Sequence, residues 1–126
     1  MKAVLWILQI ILGVYFFAIG ILHFIVPPGL PGPMAWMYDL SPTLHIISGA
    51  AEILGGLGLV LPGLTRIQTR LVPLAAIGLA LVMTGALVYH GIRGEYQNIV
   101  LNVLLLVLNV FVAIGRWRNP IPNRNS

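Results

Sequence analysis

Four long apolar runs alternate with short polar or proline-rich segments along the chain. The first, residues 4–26, carries no charge after Lys2 and is long enough to cross a hydrocarbon core of about 30 Å. Pro27-Pro28-Gly29 follows it rather than a small-residue cleavage site, so the pattern predicts a retained helix, not a signal peptide. The second run, 43–61, ends at Pro62-Gly63, with Ser41 and Pro42 placed to cap and start it. The third, 71–90, has Pro73 in its first turn, where proline is tolerated. The fourth spans 98–115. Between the first two runs, prolines at 27, 28, 31, 33 and 42 forbid a regular helix. Trp36 and Tyr38 suggest that residues 27–42 form an external loop lying along the membrane interface.

The expected fold is therefore all-α: an integral membrane four-helix bundle forming a single domain over residues 1–126. Composition strengthens this. Charged residues make up 8% of the chain, against about 25% in soluble domains, too few to cover a water-facing surface. The net charge of +4 does not indicate nucleic acid, because the basic residues lie between apolar runs and form no dense patch. They set orientation instead. Lys2, Arg66, Arg70, Arg116, Arg118 and Arg124 fall on one side and only Arg93 on the other. By the positive-inside rule both termini are expected in the cytoplasm, with the protein in the inner membrane. The tail after Arg116 is polar and basic, with a disordered end expected. The absence of cysteine excludes thiol–disulfide chemistry and Cys-ligated metal within this chain.

The polar residues inside the runs are the candidate chemistry, since an ionisable group in a span is costly. Gln9, Gly13, Phe16, Gly20 and His23 share one helical face; so do His45, Ser48, Glu52, Gly55 and Gly56; so do Asn98, Asn102, Leu105, Asn109 and Arg116. Each stripe is expected to point into the bundle. His23, His45, His90 and Asn98 lie near the outer helix ends, and Glu52 about 10 Å deeper than His45. The expected site is an outward-opening cavity with Glu52 at its floor. Its candidate ligand-binding residues are His23, His45, Ser48, Glu52, His90, Asn98, Asn102 and Asn109, with Glu52 and His23 as candidate catalytic groups. Asn102 and Asn109 also suit hydrogen bonding between helices. Histidine and glutamate are metal ligands, and paired histidines hold haem. No His-x3-His or Glu-x-x-His spacing is present, so metal or haem held by His23, His45 and His90 is the weaker reading.

Several stretches resemble the DoxX-like family of small four-helix membrane proteins. They are residues 13–24, 48–66, 73–90 and 102–116. The more specific marks are Glu52 with Gly55, Gly56 and Gly58; Gly85, Ala86 and His90; and Gly115 with Arg116. The resemblance implies association with membrane redox systems, as for the family's namesake with a terminal quinol oxidase and thiosulfate oxidation. Other members imply roles in redox stress, membrane-protein assembly or cargo handling. First helices in the family carry a lysine or arginine near the position of His23, a departure here.

Three functions compete on these residues. The favoured one is binding of a lipophilic or quinone-like molecule in the bundle, serving a membrane redox system; no cofactor motif is evident. The second is an assembly or chaperone factor for partner helices. The third is a cofactor-free isomerase or hydrolase using Glu52 with a histidine. Membrane lipid, membrane redox proteins and further copies of the chain are the expected partners, and nucleic acid is not. The residues name no reaction.

Overall fold

The computed structural model describes residues 1–124. The described residues form four long helices: α1 (Lys2–Ile25), α2 (Pro42–Thr65), α3 (Leu71–Arg93) and α4 (Tyr96–Arg118). Each is long and apolar enough to cross a membrane. Their outer surfaces are rows of exposed aliphatic side chains, among them Ile7, Val14, Leu54, Leu81 and Val107. Such a surface belongs against lipid, not water.

The helices run a few residues past most of the ends read from the sequence, and two differences change the picture. α2 does not stop at Pro62-Gly63 but continues to Thr65, with Pro62 buried inside it. A helix in lipid has no alternative backbone partner, so it runs through a proline that would end it in water. Residues 27–42 are also not wholly irregular. Gly32–Tyr38 form a short 3-10 helix started by Pro33. The Tyr38 hydroxyl donates to Pro27 O (2.7 Å) and accepts from Leu30 N–H (3.0 Å), closing the segment on itself. Met37 in this helix is buried and Trp36 half-buried, so the segment turns inward as a lid over one end of the bundle. Ser41 caps α2 by accepting from Leu44 N–H.

The bundle is two helical hairpins. α1 packs most extensively on α2, and α3 on α4, while α1 and α4 touch only sparsely. Glycines bring α1 and α2 together. A methyl group added at Gly56 would lie 2.6 Å from Gly13 O, and one at Gly20 2.8 Å from Gly49 O. Phe16, Leu12, Leu59, Leu79 and Val112 fill the shared core.

At the end carrying both termini a polar strap ties the hairpins. Arg116 is 3% exposed. Its Nε donates to Gln9 Oε1, its guanidinium lies 5.5 Å from the Trp6 ring centre, and Gln9 Nε2 donates to Leu59 O (2.8 Å). The tail folds back there as far as Arg124: Thr69 Oγ1 donates to Ile121 O, and Arg124 N–H to Arg66 O. The disorder expected at the extreme C-terminus concerns residues outside those described. Pinned at this end, the hairpins leave their space at the other, beneath the lid.

Candidate functional site

Beneath the lid lies a cavity of about 400 Å³, to which all four helices and the lid contribute. Most of its wall is apolar, including Ile19, Met34, Leu40, Val82, Met83 and Leu105. Of the sequence candidates, His23, Ser48, Glu52, His90, Asn98 and Asn102 line it. His45 and Asn109 do not. His45 stands behind His23, and Asn109 lies a turn below Leu105, donating to Leu105 O of its own helix (2.9 Å). That bond is within α4, so it ties no helices together.

The three histidines near the outer helix ends fall into two separate arrangements. The first is a chain of hydrogen bonds. Glu52 Oε2 lies 2.9 Å from His23 Nε2, His23 Nδ1 2.9 Å from His45 Nδ1, and His45 Nε2 2.7 Å from Met37 O. Both Glu52 and His23 are 4% exposed. The far end fixes the chemistry, because a backbone carbonyl only accepts and His45 Nε2 must therefore donate to it. With one proton in each of the three bonds, two imidazoles and one carboxylate carry three protons and zero net charge. The excess proton sits on Glu52, on His23 or on His45. Moving it along the chain changes the tautomers and leaves the cluster neutral. A neutral cluster avoids the cost of an isolated charge in an apolar bundle.

The second arrangement latches the lid. His90 Nδ1 donates to Glu95 Oε1 (2.8 Å), Arg93 Nε donates to the same oxygen (3.0 Å), and Arg93 reaches on to Asp39 Oδ2 (2.7 Å). Trp36 packs between the two arrangements, its ring centre 4.9 Å from that of His90 and 5.9 Å from that of His23. Burial pushes the Glu95 carboxyl up, but the bonds from His90 and Arg93 outweigh it and hold it below its ordinary value. A lowered carboxylate contributes stability that is present above the unfolded-state value, roughly 4.3, and lost as pH falls through the folded one. The latch is therefore intact at neutral pH and loosens in acid. Arg93 and Asp39 are exposed, so Asp39→Asn should leave global stability nearly unchanged. It should still raise amide exchange across 34–38 by several fold, read by hydrogen–deuterium exchange. Unchanged exchange there would show that the latch does not hold the lid.

Two polar groups of cavity-lining residues lack a protein partner. Asn102 Nδ2 and Tyr89 Oη are buried and have no hydrogen-bond partner among the described residues. Asn102 is 7% exposed. Both side chains line the cavity wall. Each is a donor that a side-chain rotation would turn toward an acceptor oxygen placed in the cavity. Among the described residues no three His, Asp or Glu side chains converge as a metal-binding group. The histidine nitrogens of the relay point at each other, not at a shared centre.

Trp36, Tyr89 and Tyr15 were not among the sequence candidates, although all three line the cavity. Trp36 read as an interfacial anchor because nothing local shows the lid folding inward. Tyr89 had a usable signal: with Val82, Gly85 and Ala86 it continues one face of α3.

The model of the DoxX-like family matches residues 7–112. That span holds every cavity residue from Tyr15 to Leu105. Gly115 and Arg116, which carried part of the resemblance, lie beyond it. No curated protein and no solved structure matches the chain.

Proposed function

The chain belongs to the DoxX-like family, and from that premise we propose that it binds a lipophilic molecule with a carbonyl-type oxygen, chemically closest to a quinone. Asn102 and Tyr89 donate to that oxygen, and Glu52 with His23 exchanges a proton with the bound head group. One observation carries the reading: two buried donors without protein acceptors in the wall of a largely apolar cavity. A buried donor without an acceptor costs about 1–3 kcal/mol, which a ligand oxygen would offset. The cavity size and the few convergent polar groups suit a small molecule. The neutral relay holds one proton to pass on; giving it to the head group leaves one negative charge on the cluster, which the returning proton cancels.

In this reading the lid end faces outward and both termini lie in the cytoplasm, as the basic residues favour. Docking of a partner helix has less support. Gly49 and Gly56 of α2 are already covered by α1, and Gly55 and Gly58 by Leu79 and Ala75 of α3.

The test uses a decyl-tailed benzoquinone as probe and quenching of Trp36 fluorescence as readout, taken as the signal lost in Trp36→Phe. The protein is held in lipid nanodiscs. Saturable quenching is expected, weakened about tenfold in Asn102→Leu, since one lost hydrogen bond to a buried group is worth about 1.4 kcal/mol. Quenching that never saturates, or is equal in Asn102→Leu, would contradict the proposal.

A further inference from the structure

α3 carries three glycines that packing does not explain, Gly78, Gly85 and Gly91, and the first two share a face. A methyl group added at Gly78 or at Gly85 would meet no atom within 4 Å. In the other three helices the glycines are spent on close contact, as Gly13, Gly20, Gly49 and Gly56 are between α1 and α2. A glycine inside a helix is unfavourable relative to alanine, so one that touches nothing calls for another reason.

Gly78 and Gly85 are seven residues apart, on one face of α3. That face reads Leu71, Leu74, Ala75, Gly78, Val82, Gly85 toward the lid. Opposite it, α2 presents Leu44, Ser48, Ala51, Gly55 and Gly58 at the same three- and four-residue spacing. Leu44, Ser48, Val82 and Gly85 form part of the cavity wall. Ala51, Gly55, Gly58, Ala75 and Gly78 line a second, apolar groove of about 360 Å³. Cavity and groove are thus successive stretches of one seam between the hairpins. Helices α2 and α3 meet at Gly55–Leu79 and Gly58–Ala75, and the cavity occupies the space between them nearer the lid. Leu44, at the rim, is 43% exposed, so the wall opens sideways there. The top is closed by Trp36 and the Arg93–Asp39 latch.

We infer that the ligand is a long-tailed membrane amphiphile that reaches the cavity sideways from the bilayer, its head at Asn102 and Glu52 and its tail in the α2/α3 groove. The inference rests on the cavity reading above and adds the tail and its path. From Gly85 to Leu71 the seam runs about 21 Å, the reach of a long acyl or isoprenoid chain. Its floor of glycine and alanine leaves room for such a chain and offers it no polar group. The buried donor of Asn102 gives the head an anchor that the groove alone lacks.

The test compares two probes in nanodiscs at matched mole fraction in the membrane: the decyl-tailed benzoquinone and its methyl counterpart. Trp36 quenching is again the readout. Gly78→Phe fills the groove and Gly85→Leu the sideways opening, both without a clash at Cβ. Gly91, equally open but off this seam, supplies the control Gly91→Leu. Gly78→Phe is expected to weaken decyl-probe binding about tenfold through lost tail contacts and to leave methyl-probe binding unchanged. Gly85→Leu weakens both probes, and Gly91→Leu neither. Equal binding of the decyl probe by Gly78→Phe and the parent would overturn the tail path while leaving the cavity reading intact. The same result with a smaller particle by light scattering would assign the groove to contact between copies of the chain. Failure of the parent to bind either probe would remove the cavity reading and this inference together.

Discussion

Replacing His23 with alanine is expected to cost the folded bundle about 3 kcal/mol, the lower end for breaking a buried ion pair. The substitution leaves Glu52, 4% exposed, without its partner at 2.9 Å, and takes the acceptor or donor away from His45 Nδ1. The loss stays at the lower end because the carboxyl has the option of taking up a proton. Glu52→Gln should behave differently. Its amide can donate to His23 Nε2 while His23 Nδ1 donates to His45, so every bond survives and stability should change by less than about 1 kcal/mol. What the glutamine removes is the transferable proton. Unfolding by sodium dodecyl sulfate in mixed micelles would separate the two variants. If they unfold alike, the hydrogen-bond order from Glu52 to Met37 O is wrong.

Gly56→Leu should be the most damaging substitution in the chain, at more than about 3 kcal/mol, beyond ordinary overpacking. A Cβ there would sit 2.6 Å from Gly13 O and 2.9 Å from Phe17 N–H, both backbone atoms that no rotamer change can move. α1 would have to separate from α2. His23 and Glu52, one on each helix, would then lose their contact, so the packing defect would reach the site. Gly78→Ala gives the contrast. It meets nothing, and it should be neutral or stabilise the helix by up to about 1 kcal/mol. The check is the yield of monodisperse protein together with its melting temperature in one detergent. Parent-like melting of Gly56→Leu would mean that the close α1–α2 crossing is not required.

The difference between these two glycines shows where sequence reasoning runs out. Four apolar runs suffice to place four helices, because lipid leaves the backbone no other option. The same constraint carried α2 through Pro62, which a rule drawn from water had taken as its end. Helical spacing also put Gln9, His23, Glu52 and Asn102 on buried faces, where the structure has them. Spacing does not tell which neighbour each face meets. Gly56 and Gly78 look alike in the sequence, yet one touches backbone and the other nothing. His45 and His90 both sit near outer helix ends. One completes a relay with His23, twenty-two residues away, and the other joins Glu95, five residues away, separations between which helical periodicity does not choose. Trp36 was legible only as an amphipathic aromatic; its place between His23 and His90 depends on the lid turning inward, which Tyr38 and the Arg93–Asp39 latch enforce.

The proposed occupant of the cavity is a lipophilic molecule whose oxygen accepts from Asn102. The most direct test is mass spectrometry of what co-purifies from native membranes with the parent and with Asn102→Leu. Asn102 Nδ2 bonds no described residue, so leucine should leave the ligand-free protein as stable as the parent or more so. A lipophilic carbonyl compound is expected near one per chain in the parent and depleted about tenfold in Asn102→Leu at unchanged stability. Equal retention in the two proteins, or no such compound in the parent, would contradict it.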